Sequence, residues 1–307
     1  MLMLMRTPRA YAPHVAYAAP ARASSQVWRL LLGLVLIEGL FDAGIWAFDG
    51  GLAYLAPDLA KALFYGDTAL GLVVQLASYG CLGGAVWLVA RRLNKRGFAS
   101  LTGPPEQAGA MLPLAFAASA AVFVAIQLLP PWLDFRAAES ARGMAGWLAV
   151  LPFALAALLV QTGAEELLYR GFIQQQLAAR FRAPLVWMVV PNLAFAAVHW
   201  QDGAAPVDNW QYLIWAFCFG LAASDLTARS GNLGPAIGLH LANNAYAFLC
   251  FGEAGGPDSG LALFLFPASD GLADPALAQG PLISLALIIE LGTIGLAWLA
   301  ARIAIRR

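Results

Sequence analysis

Long apolar runs separated by short polar connections dominate the chain. A helix needs about 20 predominantly apolar residues to cross a hydrocarbon core of roughly 30 Å. Runs of that kind lie near residues 30–48, 69–90, 110–130, 150–179, 184–200, 209–228, 232–252 and 282–304. They predict an all-α integral membrane protein with about eight transmembrane helices. Residues 1–26 break the pattern: they are rich in Ala, Pro and Arg, carry no acid and show no helical apolar stripe. That composition reads as a flexible cytoplasmic tail, which leaves 27–307 as one polytopic membrane domain. An Arg-rich, acid-poor transit peptide would look similar. A cleaved signal is not expected, because the first apolar run holds Glu38 and Asp42 and lacks a small-residue cleavage site. The segments GPPEQ (103–107) and GGPDSG (255–260) read as turns, and no fixed-period repeat is visible.

Composition agrees with the pattern. Hydrophobic residues make up 61% of the 307 positions, charged residues 12%, and the mean hydropathy is +0.69, well above that of soluble domains. The placement of Lys and Arg adds an orientation, because short cytoplasmic loops retain positive charge. With both termini cytoplasmic, the inner segments collect Arg6, Arg9, Arg22, Arg29, Arg91, Arg92, Lys95, Arg96, Arg170, Arg180, Arg182, Arg229, Arg302, Arg306 and Arg307. Only Lys61, Arg136 and Arg142 of the 18 basic residues fall outside. The last outer loop (253–281) carries Glu253, Asp258, Asp270 and Asp274 and no base. A multi-pass protein of a bacterial cell membrane is the expected setting. Net charge is zero and the largest basic cluster is the four residues at 91–96, so nucleic acid is not an expected partner. Cys81, Cys218 and Cys250 lack paired spacing and sit in apolar segments, as buried core residues do.

Ionisable groups within membrane segments are costly and mark functional sites by default. The fourth run contains EELLYRG (165–171). Glu166 and Arg170 stand at i and i+4 with the acid first, the favourable order for a helical ion pair. Glu165 points about 100° away, on the face of Gln161 and Tyr169, and is left as an unpaired acid suited to general-base chemistry. If the fourth helix runs on to Arg180, Glu165 and His199 both lie about 22 Å from the cytoplasmic ends of their helices, with His240 and Asn244 at about 12 and 18 Å. One polar cavity between the fourth, fifth and seventh helices can then hold all four. Glu165 with His199 could deprotonate a water, and His240 with Asn244 could donate to the oxyanion of an attacked carbonyl. Asp225 and Arg229 form a second i, i+4 pair, of structural type. Glu38 and Asp42, also i and i+4, repel unless they face water or a cavity, and Glu290 stands alone in the last run.

Three stretches carry a resemblance. EELLYRG (165–171) resembles an EExxxR motif, FAAVH (195–199) an FxxxH motif and HLANN (240–244) an HxxxN motif, in the order found in type II CAAX prenyl proteases, also called CPBP or Abi intramembrane proteases. The resemblance spans about 146–252. It implies an intramembrane endopeptidase acting on a membrane-associated or prenylated protein or peptide. Glu165 and His199 would activate the water, His240 and Asn244 would bind the oxyanion, and Glu166 and Arg170 would support them. It implies a glutamate-type mechanism without a cofactor, with zinc as the alternative, since two His and a Glu can ligate that metal. Bacteriocin immunity, or a non-catalytic membrane scaffold of the same fold, is the alternative function. No GxSG or GxGD motif of other intramembrane protease types occurs.

Overall fold

The computed structural model describes residues 8–130, 137–202, 204–267 and 280–307. Arg6, Arg136, Asp270 and Asp274, which entered the charge distribution, lie outside the described residues. Each of the eight apolar runs forms a helix. The first is α2 (Val27–Leu55), preceded by a short α1 (Ala12–Ala18) and followed by α3 (Pro57–Tyr65). The second run is divided at Tyr79 into α4 (Ala69–Ser78) and α5 (Gly80–Arg92). There the Ser78 hydroxyl turns back to donate to the Gln75 carbonyl at 2.7 Å, and Gly80 follows; both favour a kink. After α6 (Phe98–Thr102) come α7 (Pro105–Ile126), α8 (Met144–Glu166) and α9 (Gln175–Arg180). The remaining helices are α10 (Pro184–Ala197), α11 (Pro206–Ser230), α12 (Gly234–Cys250) and α13 (Leu285–Ala304). Five of these stretches are long and apolar enough to cross a membrane: α2, α4 with α5, α7, α8 through α9, and α13. The other three are shorter or more polar.

One short element departs from the all-helical expectation. Strands β1 (Ser140–Ala141), β2 (Phe251–Glu253) and β3 (Phe264–Phe266) form a three-stranded sheet in the order β1-β3-β2. Stacked Phe251 and Phe264 rings stiffen it, and Arg142 ties the neighbouring loop by donating to the Ala262 and Ser259 carbonyls at 2.9 and 3.1 Å.

The fourth helical run is continuous from Met144 to Arg180, 37 residues. At about 1.5 Å per residue it reaches about 55 Å, well beyond the hydrocarbon thickness. Its last third is wrapped by protein rather than lipid: Leu167 to Leu177 are all buried. Part of that wrapping is the N-terminal segment, and here the flexible-tail expectation is corrected. Residues 9–24 are helical and packed. Tyr11, His14 and Tyr17, three residues apart, form the aromatic stripe that docks them. The Tyr11 hydroxyl donates to Asp225 at 2.7 Å, His14 stacks on Trp187 at 4.6 Å, and the Tyr17 hydroxyl donates to the Leu101 carbonyl. A stripe of aromatics with polar tips escapes an apolar-periodicity test and still buries area.

Asp225 joins the two ends of the chain. Besides Tyr11 it pairs with Arg229 at 2.7 Å and accepts from the Trp298 indole of α13 at 2.8 Å. The structural role assigned to the Asp225–Arg229 pair therefore holds, and through Asp225 the N-terminal helices and α13 meet on α11.

Candidate active site

Glu165 and Glu166 occupy the last two positions of α8, and the backbone then widens into a π-helical segment, Leu167–Gln174. Such segments are rare and occur mostly at functional sites. Arg170 lies inside it, fully buried, as is Glu166. A guanidinium in that position is costly unless it is paired, and here both terminal nitrogens are engaged while Nε makes no hydrogen bond among the described residues. One terminal nitrogen donates to Glu166 Oε1 at 2.9 Å. The other donates to Asn192 Oδ1 at 3.2 Å and to the Gly220 carbonyl at 3.1 Å, while the Phe195 ring packs against its face at 4.9 Å. Gly220 is required by this arrangement: a Cβ there would lie 2.5 Å from Asn192 Oδ1 and 3.2 Å from the guanidinium. One ion pair thereby pins α8, α10 and α11 together.

Glu166 has a second duty. Its Oε1 also meets His240 Nδ1 at 2.8 Å, so the carboxylate accepts from that nitrogen and turns Nε2 toward Glu165, whose Oε2 lies 3.7 Å away. His199 is fixed in a similar manner by backbone. Its Nδ1 lies 2.7 Å from the Phe195 carbonyl; a carbonyl can only accept, so Nδ1 carries the proton and Nε2 keeps a free lone pair. The Tyr212 ring meets the His199 ring edge-on at 5.4 Å, and Phe195 packs on its other side at 4.6 Å.

A chain of amides orients the remaining groups. The Gln161 amide nitrogen donates to Glu165 Oε1. Gln161 therefore presents its carbonyl to Asn244, whose Nδ2 donates to it at 2.8 Å. That leaves the Asn244 carbonyl to accept from Asn243 Nδ2 at 3.1 Å. Because a carboxylate only accepts, the direction of every bond in the chain is dictated from Glu165 outward. Asn244 retains one amide hydrogen uncommitted.

All four residues expected to act on substrate, Glu165, His199, His240 and Asn244, line one cavity of about 1310 Å³. It is larger than predicted: beyond α8, α10 and α12 it extends along α4, α11 and α13 to the sheet. Glu165 and His199 are not hydrogen-bonded to each other; the close partners of Glu165 are Gln161 and His240. Glu166 and Arg170 pair as the i, i+4 spacing implied. Glu290, unassigned from sequence, and Asp258 both face the cavity. Glu38 and Asp42 do not; both are exposed on α2. Gln161, Asn192, Asn243 and Gly220 were missed as working parts. Gln161 had a signal, one turn before Glu165 on the same face, whereas Gly220 had none. Among the described residues no group of three or more His, Cys, Asp or Glu side chains is arranged to hold a metal ion. The Glu165, His199 and His240 donor set therefore does not fit zinc as it stands.

The fold and site define a helical membrane protein with a carboxylate, two imidazoles and a row of amides on the wall of a large internal cavity. Residues 146–246 match the family model described as type II CAAX prenyl endopeptidase, Rce1-like, about a third of the chain. The match contains the residues from Glu165 to Asn244 that build the site and stops before α13. The chain is also similar to the uncharacterized protein YyaK of Bacillus subtilis (strain 168), 25% identical over 252 residues, which are 76% of this chain and 81% of that protein. No solved structure matches the chain.

Proposed function

We propose that the protein is an intramembrane endopeptidase that hydrolyses a peptide bond of a membrane-associated or prenylated substrate with a water activated by Glu165 and His199. The convergence of Glu165, His199, His240 and Asn244 on one cavity carries this reading. A water between Glu165 and His199 gives its proton to the free carboxylate oxygen, while His199 Nε2 accepts its second hydrogen and holds it in line. Attack on the scissile carbonyl places negative charge on oxygen. The uncommitted Asn244 amide hydrogen and His240 Nε2, which line the same cavity beside Glu165, receive it. Since His240 Nδ1 is engaged with Glu166, donation by Nε2 requires the imidazolium, a cation that Glu165 and Glu166 flank. Preorganised donors of this kind are worth about 10²–10³ in turnover each. Collapse of the tetrahedral species passes the proton held on Glu165 to the leaving amine.

Access supports a substrate drawn from the membrane. The cavity is lined on its far side by Phe123, Ile126, Ile289 and Leu296, and Ile289 and Leu296 are also open to the surroundings of α13. A peptide carrying an apolar segment or a prenyl chain can enter that way without leaving hydrocarbon. On the charge distribution both termini face the cytoplasm, all eight helices traverse the membrane, and the site is reached from that side. No metal is needed for these steps. Wild-type and Glu165→Ala protein, each given the membrane proteome of the producing cell, should differ in newly formed peptide termini. Identical profiles would discard the peptidase in favour of a scaffold or immunity protein.

A further inference from the structure

A second concavity, of about 650 Å³, lies away from the catalytic cavity, between the N-terminal helices and the junction of α9 with α10. Its lining includes Arg22, Arg180 and Arg182, the rings of His14 and Trp187, and Phe181, with no Asp or Glu. None of the three guanidinium groups makes an ion pair or side-chain hydrogen bond among the described residues, and all three residues are exposed. His14 is the opposite case. It is only 2% exposed, and neither ring nitrogen has a hydrogen-bond partner. Leaving a buried polar group without a hydrogen bond is costly, so an unpartnered imidazole in a concave, cationic setting can donate to a bound acceptor.

Positive charge alone would be met by the exposed arginines of any cytoplasmic loop. A topology anchor has no use for a cavity, a buried unpaired imidazole or a flanking indole. The forks of three arginines match the oxygens of a phosphate group, which accept bidentate donation. An imidazole N–H can supply one further donor from the cavity wall.

We propose that this pocket binds a phosphate-bearing anion, gripped by Arg22, Arg180 and Arg182, with His14 as an inner donor. The anion would bridge the N-terminal helices to α9 and α10 and fasten the cap that wraps the Arg170 end of the long helix. Two sources offer this chemistry: a free phosphate compound, or a phospholipid headgroup, since α10 begins its apolar run only two residues after Arg182.

Binding to the full-length protein in phosphatidylcholine nanodiscs can be measured with radiolabelled inorganic phosphate and glycerol phosphate as free probes. Native mass spectrometry after exchange into phosphatidylglycerol reads headgroup retention. One saturable equivalent of a free probe identifies a soluble ligand; retention of phosphatidylglycerol alone identifies the lipid. In either case the double variant Arg180→Gln, Arg182→Gln should bind at least about tenfold more weakly. Arg22→Gln, at an exposed position, is the second test and should weaken binding by about tenfold if the double variant does not fold. The double variant Arg91→Gln, Arg92→Gln removes the same charge from another loop and should leave binding within about twofold. Absence of saturable binding in both arms would overturn the proposal, as would equal weakening by the two double variants. Catalytic activity plays no part in the readout, so the result is independent of the peptidase reading.

Discussion

Replacing Arg170 by alanine removes the group that neutralises Glu166 and joins α8 to α10 and α11. Three acceptors lose their donor together: Glu166 Oε1 at 2.9 Å, Asn192 Oδ1 at 3.2 Å and the Gly220 carbonyl at 3.1 Å. Glu166 is left fully buried with His240 as its remaining partner. Breaking a buried pair by deleting one member costs about 3–5 kcal/mol, because the surviving charge is uncompensated. Burial of this pair is complete, so no discount for solvent screening applies. Glu165→Gln is the matched control. Glu165 is partly exposed to the cavity, and the amide that replaces it can still accept from Gln161, so its effect on stability should stay within about 1 kcal/mol. Thermal unfolding of the purified proteins in one detergent, followed by circular dichroism, should show Arg170→Ala melting on the order of 10 °C lower. Glu165→Gln should melt with the wild type and yet be inactive. Equal melting of Arg170→Ala and wild type would refute the assignment of Arg170 as the central tie. Equal loss in both variants would refute the division between a support pair and a reactive acid.

Three further outcomes are expected. Gly220→Ala should destabilise the protein by about 1–3 kcal/mol by driving Asn192 off the guanidinium, read in the same melting assay; a neutral result would mean that α10 and α11 can part without cost. Burial holds the His14 imidazole down to about 4, from 6.5, so between those values the unfolded chain binds the extra proton. Stability in phosphate-free detergent solution should then be complete above about pH 6.5 and fall toward pH 4, by about 3 kcal/mol in total. His14→Gln should flatten that acid limb, and an unchanged limb would place its cause elsewhere. Prolonged chelation should leave peptidase activity intact; a stoichiometric metal lost together with activity would replace the glutamate mechanism with a metal-assisted one.

The legible parts of this molecule are those where bilayer physics acts on each segment alone. The helical state of the apolar runs, five of them long and apolar enough to cross a membrane, the extension of the fourth helix to Arg180 and the Glu166–Arg170 pair all follow from length, hydropathy and helical spacing. What escaped are relations between segments. The docking of residues 9–24 depends on Tyr11, His14 and Tyr17 finding Asp225, Trp187 and Leu101, partners 84 to 214 positions distant for the two tyrosines; nothing local in an Ala- and Pro-rich stretch announces it. The site shows the same division. Glu165 could be separated from Glu166 by a helical wheel, yet matching depth paired it with His199, whereas in the folded chain His240 is the nearer ring. That displacement is intelligible once Glu166 is seen to serve two masters, Arg170 and His240, since holding His240 Nδ1 necessarily aims Nε2 at the neighbouring acid. Adjacent glutamates on one helix thus act on one imidazole from two directions: the buried one sets its orientation and the cavity-facing one shares its reactive edge. A motif of two acids followed by an arginine therefore encodes a geometry that neither acid could create alone, and exchanging Glu166 for Gln should disturb the position of His240 before it disturbs the charge balance of the membrane helix.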